Sequence, residues 1–516
     1  MVCGCHSVRL PQCDSPTCWV VGLSYCGSCI YTCALSEKIR VSGVRTIGIL
    51  CIFAPAHYRI IQFNYMIFRR KIYKRLLEWK RTDGQKALLV EGARRIGKST
   101  IVEEFAKNEY KSYILIDFAK IRDVVKEAFE HNLNDLDTFF MLLSSEFKVK
   151  LHERESLVIF DEVQKYPRAR EAVKYLVQDG RYDYIETGSL ISIHENVSDI
   201  LIPSEERCIK MYPLDFEEFC WAFGEEQLLE YIKMCFEQQR PLTADLHRKA
   251  MMLFRQYLLV GGMPKPVAVY LENGRDFTLC DEEKRDILRL YREDIMKIGN
   301  RYRSKVLAIY DQIPGLLSKH EKRVVLNKIV EGSDFMQYED TFFWLADSMM
   351  ANECFNCSDP NVGLSISEDR TFVKCYMGDT GLLVSHAFSE NDVSDGELYR
   401  EILHGKLSLN EGMLYENAIA QMLVAAGHKL FFYTRYNETK HRNDIEIDFL
   451  LSNNSKLKYK IFPVEVKSTE NYSTTSLGRF KEKFHERIGA CYIIHPKNLA
   501  MKDDIVCLPP YMAFCL

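Results

Sequence analysis

A chain of 516 residues in which 47% of the side chains are hydrophobic and 27% charged is too long for one ordinary domain and too apolar to stay disordered; roughly two to four folded domains are expected. A net charge of −4 at pH 7 excludes a surface coated in basic charge, although a local basic channel fits within a balanced total. Of the 18 cysteines, many crowd before residue 60; Cys26 with Cys29 and Cys354 with Cys357 have the gap of half a zinc site, but neither pair has a second half nearby, so free thiols in a reducing compartment are expected.

In chain order, residues 1–65 are rich in Cys, Gly and Ser, and their apolar stretch at 47–54 is too short to span a bilayer. Met66 then opens a helical pattern over 66–79, with Ile72, Tyr73, Leu76 and Leu77 at helical spacing. Met66 is the expected natural start, which makes the first 65 residues an extension, either non-native or disordered.

Residues 86–91 form a short apolar run fit for a buried parallel strand, followed at once by Gly92-Ala93-Arg94-Arg95-Ile96-Gly97-Lys98-Ser99 and a helix over 98–105. In that order, Gly92 and Gly97 let the backbone curl so that its N–H groups face phosphates, and the helix N-terminus adds positive potential. Lys98 is then placed for the β- and γ-phosphate oxygens of ATP and Ser99 for Mg²⁺, with Arg95 and Thr100 completing the nucleotide-contacting set. A strand is expected over 113–118, and another over 156–160 that ends in Asp161-Glu162. At the end of a buried strand, Asp161 suits Mg²⁺ through water and Glu162 suits activation of the attacking water. A strand over 182–189 ends in small polar residues, and Thr187 and Ser189 are candidates to sense the γ-phosphate; a polar turn capping the next element explains them equally well.

The stretches Glu-Gly-Ala-Arg-Arg-Ile-Gly-Lys-Ser-Thr, Phe-Asp-Glu-Val-Gln-Lys, Glu-Thr-Gly-Ser-Leu and Tyr-Pro-Leu-Asp-Phe-Glu-Glu-Phe resemble the AAA-type ATPases of bacteria and archaea that carry a C-terminal restriction-endonuclease-like domain. The likeness runs from about Met66 to the C-terminus. It implies an α/β P-loop NTPase core with a parallel sheet, and the same roles for Lys98, Ser99, Asp161 and Glu162. Arg207 sits where related ATPases often place an arginine finger, but a surface or salt-bridge residue fits its surroundings as well.

From 223 to 405 the pattern turns helical, with a tight turn at 257–264, Tyr291 to Ile295 on a helix, and a Gly-Asp-Thr-Gly-Leu-Leu stretch at 378–383. By analogy with the related ATPases this region is a helical lid with a winged-helix-like unit. In the last hundred or so residues, a helix over 411–421 carries Glu416, and 444–450 alternates as one strand, Ile445, Ile447 and Phe449 facing one way and Asp448 the other. After a turn at Asn453-Asn454, Val464 and Val466 face a core while Glu465 and Lys467 share the opposite face. Asp448 and Glu465 could hold Mg²⁺ against a phosphodiester, with Glu416 completing the metal shell and Lys467 positioning water. This resembles the PD-(D/E)xK nucleases; a cross-strand salt bridge is the plain structural explanation.

The expected domains are a P-loop ATPase at 66–222, the helical middle at 223–405 and a nuclease-like α/β domain at 406–516. Two functions compete: an Mg²⁺-dependent ATP hydrolase that couples nucleotide state to a DNA-directed nuclease-like domain, and a nucleotide-dependent switch whose nuclease-like domain is non-catalytic. ATP is the expected ligand, DNA and a second copy of the chain are candidate partners, no membrane is expected, and the cytoplasm is the default location.

Overall fold

The computed structural model describes residues 66–82, 84–188, 204–319, 339–361, 363–389, 396–404, 411–437, 442–453 and 460–516, with short strands between 24 and 45. Two compact units result, Met1–Arg69 and Arg70–Leu516. In the first, Ser24–Cys26 pairs with Cys29–Tyr31 and Arg40–Val41 with Val44–Arg45. Ser189, Asn454 and the remainder of the expected extension lie outside the described residues.

The second unit opens with helix α1 (Ile72–Lys80), later than the expected start at 66. Strand β1 (Ala87–Glu91), helix α2 (Lys98–Glu109), strand β2 (Ser112–Asp117), helices α3 (Asp123–His131) and α4 (Leu136–Phe147), strand β3 (Ser156–Asp161), helix α5 (Pro167–Asp179) and strands β4 (Asp183–Gly188) and β5 (Glu206–Lys210) follow. The strands make one parallel sheet in the order β2-β3-β4-β1-β5. Their apolar runs are the reason: Ala87, Leu88, Leu89 and Val90 are all buried, which a strand achieves only when both faces of its sheet are covered. Edge-to-face rings of Phe118, Phe129, Phe139 and Phe160, with centroids 5.1–5.8 Å apart, fill part of the core.

The middle is helical, with α6 (Phe216–Ala222), α7 (Glu226–Glu237), α8 (Ala244–Val260), α9 (Pro264–Glu272), α10 (Phe277–Met296), α11 (Asn300–Leu317) and α12 (Glu339–Asp347). The turn expected at 257–264 is tighter than its pattern suggests: Tyr257 to Val260 complete α8, Gly261 ends it at φ 81°, and Pro264 opens α9. Gly262 lies against Leu214, whose N–H donates to the Gly262 carbonyl at 2.7 Å. A methyl group on Gly262 would strike the Leu214 carbonyl oxygen. Gly262→Ala is therefore expected to destabilise the protein by about 1–3 kcal/mol, read from denaturant midpoints; an unchanged midpoint would contradict this packing.

Strands β6 (Ala351–Cys357) and β7 (Glu368–Met377), helices α13 (Thr380–Ala387) and α14 (Glu411–Ala425), and strands β8 (Leu430–Asn437) and β9 (Arg442–Ile447) come next. The hairpin β6–β7 is built into a sheet ordered β7-β6-β8-β9. This sheet draws strands from both sides of residue 405. A second C-terminal sheet contains β10 (Phe449–Asn453), β11 (Lys460–Val466), β12 (Cys491–Ile494), β13 (Ala500–Lys502) and β14 (Ile505–Leu508), in the order β10-β11-β12-β14-β13.

The single strand expected over 444–450 is thus two strands in two sheets, broken at Asp448. The physical cause is local: the Asp448 carboxylate accepts the Val466 N–H at 2.9 Å, so a side chain supplies an acceptor to the neighbouring strand where the chain changes sheets. The period of two carries across the break, because Ile445 and Ile447 bury in the first sheet and Phe449 in the second, after which Leu450 and Leu451 are buried as well.

Candidate nucleotide site and C-terminal acid cluster

The glycine loop leaves the C-terminal end of β1 and enters α2 at Lys98. Gly97 has φ 89° and Arg95 φ 69°, a left-handed pair of turns that points successive N–H groups into one concavity suited to phosphate. Gly92 is required by space, since a Cβ there would stand 2.5 Å from the Met211 carbonyl oxygen. Arg95 and Thr100 are exposed, on the loop and on the first turn of α2.

Lys98 is buried, and its ammonium donates to the carbonyls of Gly92 and Ala93, both at 2.9 Å. Burial pulls its pKa down to about 8, against the opposing pull of Glu162 and Asp161. The phosphates of a nucleotide bind the charged lysine, so above that pH binding must take up a proton. Nucleotide affinity is expected to fall by up to about tenfold per pH unit above roughly pH 8 and to hold steady below it. Titration of a fluorescent nucleotide across this range checks it, with Lys98→Met expected to be flat; a flat wild-type profile would refute the assignment.

Strand β4 lies between β1 and β3, and this order explains the next contacts. Ser99 Oγ donates to Asp161 Oδ1 at 2.6 Å across the gap. Thr187, near the end of β4, donates its hydroxyl to the same carboxylate oxygen and accepts the Glu162 N–H at 3.4 Å. Glu162 itself is left-handed, with φ 55°. Gln164 Nε2 steadies Glu162 Oε2 at 2.6 Å. A hydroxyl beside a carboxylate is the hard-oxygen donor set that Mg²⁺ takes, and the loop presents what a triphosphate needs, so the residues fit both groups.

Of the sensor candidates, the structure brings Thr187 to the site. Arg207 is exposed on the edge strand β5. It pairs with Leu88, three residues short of the Glu91–Lys210 pair that ends next to the loop, a distance of roughly 10 Å along the strand.

Two supports were not legible in the spacing. Arg70 donates to the Ile96 carbonyl at 3.1 Å and the Tyr212 carbonyl at 2.5 Å and pairs with Glu218 at 3.2 Å. It ties the loop to the Tyr-Pro-Leu-Asp-Phe-Glu-Glu-Phe segment, whose Asp215 caps α6 by accepting the Glu218 N–H at 2.9 Å. Arg94 of the loop reaches α10, pairing with both oxygens of Asp294 at 2.9 and 3.1 Å.

At the C-terminal end, Phe449 pairs with Val464, so Asp448 and Glu465 are brought to one end of the β10–β11 hairpin. Glu465 is 1% exposed; burial pushes its carboxyl up to about 7, against the nearby Lys467 ammonium, which stands 3.0 Å away. Helix α14 adds buried Glu416, which accepts a hydrogen bond from the Tyr376 hydroxyl. The structure thus gathers Glu416, Asp448, Glu465 and Lys467 in one region. It also inserts a residue the sequence reading missed: Lys374 of β7 places its ammonium 3.3 Å from Glu416 Oε1, 3.3 Å from Asp448 Oδ1 and 3.9 Å from Glu446 Oε1. Its signal is one charged residue within Phe372-Val373-Lys374-Cys375-Tyr376-Met377. Among the described residues no group of three or more His, Cys, Asp or Glu side chains is arranged to hold a metal ion. With an ammonium among the acids, the expected Mg²⁺ shell of Glu416, Asp448 and Glu465 does not fit.

Residues 84–220 match the family model of an AAA domain. That match supports an AAA-type P-loop ATPase core, with the nucleotide binding such a core implies. Residues 251–392 and 411–513 match two models described only as domains of unknown function, DUF8612 and DUF4143. No curated protein matches the chain. Among solved structures, a Walker-type ATPase of Pyrococcus abyssi is similar at 18% identity and a TM-score of 0.36, covering 62% of this chain and 96% of that one. Among the described residues, no helix is long and apolar enough to cross a membrane.

Proposed function

We propose that the chain is an Mg²⁺-dependent ATP hydrolase that passes its nucleotide state through the helical middle to the C-terminal domain. The observation that carries this reading is the meeting of Ser99, Asp161, Thr187 and Glu162 beside the phosphate loop. Lys98 holds the β- and γ-phosphate oxygens, Ser99 and Asp161 hold Mg²⁺, and Glu162 orients the attacking water and accepts its proton. Bound Mg²⁺ supplies charge neutralisation on the phosphates.

A physical route supports coupling. Arg94 meets Asp294 on α10. At the start of the middle, the Tyr257 hydroxyl donates to the Leu214 carbonyl at 3.0 Å, next to the Gly261-Gly262 turn. Asp379 Oδ2 accepts the Gly262 N–H at 2.6 Å and Gln421 Nε2 at 3.1 Å. Gln421 shares α14 with Glu416, so a turn packed on the ATPase core is hydrogen-bonded to the helix that enters the acid cluster.

Of the two readings of the C-terminal domain, a DNA-cutting nuclease and a non-catalytic module, Lys374 favours the module. Phosphate release from ATP, dependent on Mg²⁺, tests the hydrolase; a wild-type protein that neither binds nor hydrolyses nucleotide refutes it. Mg²⁺-dependent nicking of supercoiled DNA, with Asp448→Ala as control, tests the module. Nicking that the substitution abolishes would restore the nuclease.

A further inference from the structure

We infer that Lys374 is the resident cation of the C-terminal acid cluster and keeps divalent metal ions out of it. The inference deepens the reading of this domain as a non-catalytic module and rests on the same cluster.

The lysine is built into its place. It sits on β7 opposite Cys354 of β6, with its side chain only 2% exposed, and the ammonium lies 5.1 Å from the centre of the Phe432 ring. A side chain so enclosed has little room to swing out to solvent.

Asp448 and Glu416 each also accept a hydrogen bond from a second donor. Asp448 gives one oxygen to Lys374 and the other to the Val466 N–H. Glu416 directs the same oxygen, Oε1, to both Lys374 and the Tyr376 hydroxyl. Glu465 faces the second ammonium, that of Lys467. A divalent ion bridging Glu416 and Asp448 would have to lie against the Lys374 ammonium. In a buried, poorly screened setting that repulsion strongly opposes binding. The lysine therefore does permanently what a metal would do transiently: it neutralises the acids and binds α14, β7 and the Asp448 break together.

The test counts bound Mn²⁺ by electron paramagnetic resonance in the full chain without nucleotide. Wild type and Asp448→Asn are expected to bind the same number of ions, and Lys374→Met is expected to gain one that Lys374→Met with Asp448→Asn loses. Lys374→Arg, which keeps the charge, is expected to gain none. A wild-type Mn²⁺ ion lost in Asp448→Asn overturns the inference outright. A folded Lys374→Met protein that gains no ion overturns the role given to the lysine; if that variant fails to fold, the wild-type against Asp448→Asn comparison still decides. The two readings fail separately: Mn²⁺ held at Asp448 without DNA nicking sinks only the resident cation, and nicking without Mn²⁺ at Asp448 sinks only the module.

Discussion

Glu162→Gln is expected to lower ATP turnover by roughly 10²–10⁴-fold, the range for loss of a positioned general base, while leaving nucleotide affinity nearly unchanged. The substitution keeps the shape of the side chain, its left-handed backbone at φ 55° and its place beside Gln164. It removes the ability to accept a proton from water together with the negative charge. That charge helps keep Lys98 protonated against burial, so binding is compared well below pH 8, where the loop's ammonium stays charged. Single-turnover phosphate release together with fluorescent-nucleotide titration separates the two effects. Turnover within about threefold of wild type would mean that the proton goes elsewhere, because a lost base should cost far more.

Lys98→Ala is expected to weaken both binding and turnover, with turnover falling by roughly 10²–10³-fold in the manner of a lost electrostatic contact to the transition state. Its ammonium is fixed by the Gly92 and Ala93 carbonyls 2.9 Å away, ready to turn to a phosphate without searching for a position. Alanine leaves those two carbonyls without this donor inside the loop, so a modest loss of stability should accompany the lost function. Thermal melting of the same sample distinguishes an unfolded loop from an intact loop lacking its cation. Hydrolysis that persists in a folded Lys98→Ala protein would remove the phosphate loop from the mechanism.

These two residues could be proposed before any fold was known because their chemistry is local. A buried apolar run, two glycines and a lysine within eight residues specify strand, curl and helix by themselves. Likewise, Asp161-Glu162 follows its strand directly. Thr187 was legible only as a candidate, since its use depends on β4 lying between β1 and β3, an order set by packing far along the chain. Arg207 lies on the edge strand β5, where register sets it back from the loop of its own chain.

At the C-terminal end the balance shifts. The acids Glu416, Asp448 and Glu465 and the lysine Lys467 stand out in sequence as charged residues set among apolar neighbours, and the alternation around them suggested two strands joined by a turn. The break at Asp448 was not legible, because a period of two continues unbroken through a residue at which the chain changes sheets. Lys374 lies 42 positions from Glu416 and 74 from Asp448, with no local pattern linking them.

By itself, then, the sequence determined the phosphate loop, the acids after β3 and the apolar rhythm of the elements around them, because those depend on neighbours a few residues away. Tertiary structure alone decided that Arg70 and Asp294 hold the loop from outside, that Thr187 shares Asp161, and that an ammonium occupies the acid cluster. Each of these is a charge or a hydroxyl whose partner is chosen by which strands and helices pack side by side, and burial makes that choice of partner energetically decisive.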